Sequence, residues 1–285
     1  MPNTKITREK FKNHLHYGKN IYIALLLAAF FVGDILYTVT TYKAPNERNV
    51  QIELVGNYSE TDKEEPVLIA LEAGQAYERA RDEAAGIDVN SPSYEPALQE
   101  VEFISLPYDP SGEESEAYYG YQKYSVTLAS AEGDIFILDS SLLDYLLSEG
   151  LLVDLTPYIE SGVLTPGEQC NVAKGTYAEF VPEGEAPTGR NCVYALQADS
   201  LLGLYDTFMF NPTGKYMVVL DYSLNQDTSV AVMQSLIEQF DQPEEYVELQ
   251  KRRAEAAEQA KLEEEAKAAE EANAGEVGSE EGAEE

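Results

Sequence analysis

The longest apolar run in the chain is IYIALLLAAFFVGDILYTVTT, Ile21 to Thr41, interrupted by a single charge at Asp34. As a helix rising 1.5 Å per residue it spans about 31 Å, enough to cross a hydrocarbon core of about 30 Å once. Beyond it the periods are shorter. Asn49 to Val55 alternates with period two and predicts a strand, broken by Gly56-Asn57-Tyr58. In EEPVLIALEAGQAYERARDEAAG, Pro66 stands near the start, Leu68, Leu71, Gln75 and Arg79 recur at helical spacing, and Gly86 closes the segment, which predicts a helix. IDVNSPSYEPALQE reads as a loop and VEFISLPYD as a strand ended by Pro107. A helix is expected from Glu114 through Ser130, with Tyr118, Tyr121, Val126 and Leu128 as its apolar contribution.

The stretch GDIFILDSSLLDYLLSEGLLVDLTPYIESG repeats this alternation in compact form. Ile135 to Leu138 is too short for a helix and apolar on both faces, as in a parallel strand covered on two sides. Ser141 is placed to cap the following helix with Asp144 three positions on. Leu142, Leu143, Leu146 and Leu147 make one stripe, and Gly150 stands where a left-handed C-terminal cap belongs. Further on, CVYALQADSLLGLYDTFMF and KYMVVLDYS read as two strands joined by a turn at Asn211 to Gly214, and TSVAVMQSLIEQF as an amphipathic helix. The order βαβαβα calls for right-handed crossovers and an α/β fold, a mostly parallel sheet flanked by helices. One domain is therefore expected over residues 50–240. It is preceded by a basic segment (1–20), the apolar helix (21–41) and a linker (42–49), and followed by an acidic Ala/Glu-rich tail (241–285).

Charge orients this scheme. Residues 1–20 carry five bases against Glu9, whereas the chain as a whole has a formal net charge of -33. The positive-inside rule then puts the N-terminus in the cytoplasm and the domain outside a cell membrane, held by an uncleaved anchor, since no small-x-small site follows the apolar core. Asp34, an acid within the span, points either to a partner helix or to local satisfaction by Tyr37, Thr38 and the edge of the bilayer. From Ile21 to Pro243 there are 36 acids and 9 bases, which disfavours nucleic acid and anionic lipid, both of which need clustered Lys and Arg. The tail, with Glu248 and Arg252, and Glu263 and Lys267, four apart, is expected to be helical to about Asn273 and irregular beyond.

Chemistry is harder to find. Cys170 and Cys192, the two cysteines, flank a Gly- and Pro-rich stretch; outside a membrane they can pair in a disulfide or stay as thiols. The two histidines, His14 and His16, lie before the apolar helix, so no metal site, no cofactor and no catalytic base is expected in the domain. No phosphate loop, GxSxG or HExxH is present. In open α/β sheets ligands bind beyond the carboxyl ends of strands. That rule nominates Asn57, Tyr58 and Ser59, then Tyr108 and Asp109, then Asp139, Ser140 and Ser141; loop and capping roles account for the same residues.

The phrases VQIELVGNY, VEFISLPYD, LASAEGDIFILD and SSLLDYLLSEGLLVDLTPYI resemble, in order and wording, the extracellular solute-binding proteins of ABC importers, the maltose-type bilobal family. Leu128 to Ile159 carries the most specific likeness. CVYALQADSLLGLY is similar to the strand by which that family returns from its cleft, with Gln197 where a proline is usual. The resemblance implies a non-catalytic binding lobe, an ABC permease or other membrane protein as partner, and a sugar or peptide as ligand. It also implies a second lobe, yet fewer than twenty residues separate Gly203 from Asp221 where that lobe would be inserted, and no lipoprotein cysteine follows the apolar helix. The expectation is a single-lobe, membrane-tethered relative; the alternative is a surface adaptor that has lost ligand binding.

Overall fold

The computed structural model describes residues 8–40, 44–56, 63–108, 114–167, 176–181, 184 and 186–280. It divides into two units, residues 1–45 and 46–285. The first is one helix, α1 (Arg8–Thr40). Within it Lys19–Tyr37, of mean hydropathy 1.9, is long and apolar enough to cross a membrane. Its large side chains from Ile21 to Tyr37 are exposed.

The second unit is built on β1 (Asn49–Val55), β2 (Glu100–Leu106) and β3 (Ile135–Asp139), which run parallel, with β7 (Lys215–Val219) antiparallel to β3 and the short β6 (Leu196–Gln197) antiparallel to β7. The order across the sheet is β2-β1-β3-β7-β6, so four of five strands point one way and β3 is central. A two-stranded ribbon, β4 (Thr176–Ala178) with β5 (Asn191–Val193), stands apart from it.

Side-chain alternation sorts the core into two layers. Val50, Ile52 and Leu54 of β1, Ile135 and Ile137 of β3 and Met217 and Val219 of β7 face one way, toward α2 (Glu64–Ala84) and α7 (Gln226–Phe240). Val55, Phe136, Leu138 and Val218 face the other, toward α3 (Glu114–Ala129) and α4 (Ser140–Ser148). The two layers differ in construction: α2 lies along α7, whereas α3 packs chiefly on β2 and α4 on β3 and β7.

The buried rows of two helices differ from those expected. In α2 the row is Pro66, Ala70, Gly74 and Glu78, while Leu68 and Arg79 are exposed. Small residues win because α7 is so close: a Cβ on Gly74 would come within 2.4 Å of Leu98 and 3.1 Å of Val232. Glu78 is tolerated inside because its carboxylate accepts from the Leu98 amide at 2.8 Å and the Thr228 hydroxyl at 3.1 Å. In α3 the inward row is Gly120, Tyr124 and Thr127, not Tyr118, Tyr121 and Val126, all three of which are exposed.

The segment expected as one strand from Cys192 to Phe210 is instead split. After β6 the chain forms α6 (Gly203–Phe208), because Leu201, Leu204 and Phe208 are buried at spacings of three and four; Met209 closes it in a left-handed conformation at φ 52°. A short α5 (Thr156–Ser161) follows the Leu151 to Leu155 phrase. The tail is α8 (Pro243–Glu280), which passes Asn273 without a break, as cooperative propagation in an Ala- and Glu-rich segment favours. Its first turn is held by the Gln242 amide on the Ser200 carbonyl at 2.9 Å and the Tyr246 hydroxyl on Asp199 at 3.3 Å.

Candidate ligand site

Because β1, β2 and β3 are parallel, Gly56, Pro107 and Asp139 come out at one edge of the sheet. The antiparallel β7 begins there, with Lys215 paired in register with Asp139. Lys215 is nearly buried, its ammonium 3.0 Å from the Asp139 carboxylate and 5.5 Å from the centre of the Phe210 ring. An ammonium withdrawn from water needs such a counter-charge, and the aromatic face adds a second favourable contact. Gly56 leaves room for it: a Cβ there would stand 3.3 Å from the nitrogen. Asp139, at the N-cap position of α4, makes no side-chain capping bond and is committed to the lysine instead. Ser141 is therefore inside the helix rather than its cap, and Ser140 lies exposed in the same turn.

Beside this pair a cavity of about 430 Å³ runs between α3 and α4. Its polar lining consists of hydroxyl side chains: Tyr108, Tyr121, Tyr124, Tyr145, Ser125 and Ser141, with leucines and an alanine between them. Tyr108 is brought in by the end of β2. Gly120 presses α3 against that turn so closely that a Cβ would lie 2.1 Å from the Pro107 carbonyl oxygen. The Tyr108 and Tyr121 rings then stand 6.2 Å apart, tilted at 51°.

Tyr124 forms the deep part. Its ring meets Phe136 edge-on at 6.3 Å, only 2 % of the residue is exposed, and its hydroxyl has no hydrogen-bond partner. Burial pushes its ionisation well above that of an ordinary phenol, with the neighbouring Tyr145, Tyr121 and Tyr108 adding to the effect, so the hydroxyl keeps its proton and stands among the other tyrosines of the cavity.

Of the residues nominated by strand ends, Tyr108 and Ser141 line this cavity, whereas Asp139, paired with Lys215, and Ser140 do not; Asn57, Tyr58, Ser59 and Asp109 lie outside the described residues. Tyr121, Tyr124, Tyr145 and Lys215 were not nominated. The density of tyrosine in EAYYGYQKYS was a signal for the first two, but only the packing of α3 separates Tyr124, which points in, from Tyr118, which does not. Cys192 is a buried free thiol, and Cys170 lies outside the described residues. Among the described residues no group of three or more His, Cys, Asp or Glu is placed to hold a metal ion. No family model, curated protein or solved structure matches the chain.

Beneath α3 lies a second polar layer. Glu53 of β1 is 2 % exposed and its Oε2 has no partner. Burial pushes its carboxyl up to about 8, against the opposing pull of Lys123 and with Glu132, Asp134 and Glu102 adding to the rise. Asp134 is also raised, chiefly by burial, although the Ser223 hydroxyl and the Gln51 amide donate to it. Both acids are buried and sit away from the cavity lining.

Proposed function

We propose that the protein is a membrane-anchored, extracytoplasmic and non-catalytic binding module, a single-lobe relative of the solute-binding proteins of ABC importers, holding a sugar or peptide in the groove between α3 and α4. The observation that carries the reading is the unpartnered Tyr124 hydroxyl at the bottom of a hydroxyl-lined cavity by the carboxyl ends of parallel strands. The 2-1-3 strand order followed by an antiparallel return strand supports the family likeness, and the apolar α1 supports the anchor. A groove walled on one side of a single lobe leaves its ligand partly wet, so binding is weak unless a partner protein, such as an ABC permease, supplies the other wall. Calorimetry of the full-length chain in detergent against panels of neutral oligosaccharides and short peptides is expected to give dissociation constants weaker than about 1 µM, near -8 kcal/mol. Tighter binding by the chain alone would overturn the weak-binding reading.

A second reading, a cell-surface adaptor without a ligand, is favoured by α8, a 38-residue acidic helix projecting from a domain to which its first turns are bonded. Copurification from membranes separates the two. A permease partner supports the binding module, whereas cell-wall or secretion machinery supports the adaptor.

A further inference from the structure

We propose that α3 is a pH-controlled wall of the groove, seated on the sheet while Glu53 beneath it is neutral and lifted when Glu53 ionises, an inference that rests on the groove being the ligand site. Glu53 projects from β1 on the same face as Val55 and lies beside Phe136, its neighbour in register on β3. Tyr124 of α3 meets the Phe136 ring edge-on, and a Cβ on Gly133, in the turn after α3, would stand 2.9 Å from the Glu53 Cγ. The carboxyl is thus enclosed between the sheet, α3 and that turn. It is 2 % exposed, and among the described residues its Oε2 has no hydrogen-bond partner. A neutral carboxyl in such a place costs far less than an unpaired carboxylate, which has to be met by water or a counter-charge.

The groups that face Glu53 do not supply that counter-charge. Glu102 of β2 and Glu132 and Asp134 of the turn are acids that oppose its ionisation, and Tyr222, after β7, is a phenol held neutral by burial. Lys123 of α3 pulls the other way, but its ammonium is exposed and donates to the Ser105 carbonyl at 2.6 Å. Water therefore has to enter, and the boundaries differ in how easily they yield. The far side of the sheet is the apolar core beneath α2 and α7. The turn is pinned: the Asp134 amide donates to the Gln51 carbonyl at 2.9 Å, the Gln51 amide to the Asp134 carboxylate at 2.8 Å, and the Leu220 amide to the Asp134 carbonyl at 3.0 Å. By contrast α3 packs chiefly on β2, and Tyr118, Tyr119, Tyr121 and Val126 stand exposed on its outer side. Lifting α3 uncovers Glu53 and at the same time carries Tyr121, Tyr124 and Ser125 away from the cavity they line. Rising pH thus takes one wall from the groove.

The test is amide hydrogen exchange of the full-length chain in detergent, wild type against Glu53→Gln, with the two proteins compared at the same pH from 5 to 8 so that intrinsic exchange cancels. In Glu53→Gln the shape is kept and the proton is no longer at issue. The α3 amides are expected to exchange at similar rates in the two proteins at pH 5. At pH 8 they should exchange faster in the wild type, by a factor about tenfold or more larger than at pH 5, because an opened form with Glu53 in water releases a proton that the seated form retains. The α4 amides, on the opposite wall, should show no such pH-dependent gap. Glu53→Met, apolar and of similar length, should follow Glu53→Gln. Exchange of α3 that is the same in wild type and both variants at pH 8 overturns the inference, since the openings of α3 then leave Glu53 covered. A gap that appears equally in α3, α4 and α7 also overturns it, since only global unfolding then exposes the carboxyl. Exchange is read on the chain without ligand, so the result stands apart from whether calorimetry finds a sugar or a peptide in the groove.

Discussion

At the scale of single residues the least expected feature is Glu53, an acid in the middle of a central strand whose partners are apolar above and below. Its folded-state value near 8 exceeds the ordinary 4.5, so between those limits the folded protein holds a proton that the unfolded chain has released. Stability therefore falls as pH rises through that window, by up to about 1.4 kcal/mol per pH unit, and the full penalty is present above pH 8. Glu53→Gln keeps the shape and removes the charge. It should match the wild type in thermal melts of the full chain near pH 4.5 and exceed it by several degrees at pH 8, an effect on the order of a few kcal/mol. A variant melting curve that tracks the wild type at every pH would show that Glu53 is solvated. Lys215 illustrates a different arrangement of a buried polar group: its ammonium is met by the Asp139 carboxylate and the Phe210 ring.

At the scale of elements, α3 decides whether there is a site at all. Its contact with the β2 turn depends on Gly120, where an added methyl would stand 2.1 Å from a backbone oxygen that cannot swing away. Gly120→Ala gains about 1 kcal/mol of helix propensity and loses about 1 to 3 kcal/mol to overpacking, so the clash wins. The expected outcome is a lower melting temperature together with weaker ligand binding, since α3 must lift off Pro107 and carry Tyr121 and Tyr124 with it. A rise in melting temperature would mean that the helix moves freely there. The strands and helices themselves were legible from period and punctuation: the strand from Asn49 to Val55, the helix opening at Glu114 and the left-handed Gly150 after α4 all stand where the pattern put them. The face of α3 was not, because its tyrosines occupy every side of the helix and period alone cannot rank one tyrosine over another. For α6 the apolar run was long enough for either state, and contacts from Leu204 and Phe208 to the core selected a helix.

At the scale of the whole molecule the apolar α1 and the charge asymmetry around it make orientation the most direct question. If the basic N-terminus stays inside, protease added to intact protoplasts should degrade the acidic domain and α8 and leave a small membrane-embedded N-terminal fragment. Full protection, or a chain in the medium lacking the residues up to about Thr41, would remove the anchor from the account. What the sequence determined by itself was set by local physics. An apolar run of membrane length, periods of two and 3.6 residues, and glycines and prolines at turns depend on neighbours a few positions away, and so they set the order of elements from β1 to α4 and the α/β class. Tertiary structure alone decided the rest. The antiparallel direction of β7 brings Lys215 to Asp139 across 76 positions of chain, and the close fit at Gly74 and Gly120 determines which helix faces turn inward. Tyr108, Tyr121, Tyr124 and Tyr145 become one surface only when three elements converge. Such contacts depend on shape and register between segments far apart in the chain, which no local pattern encodes.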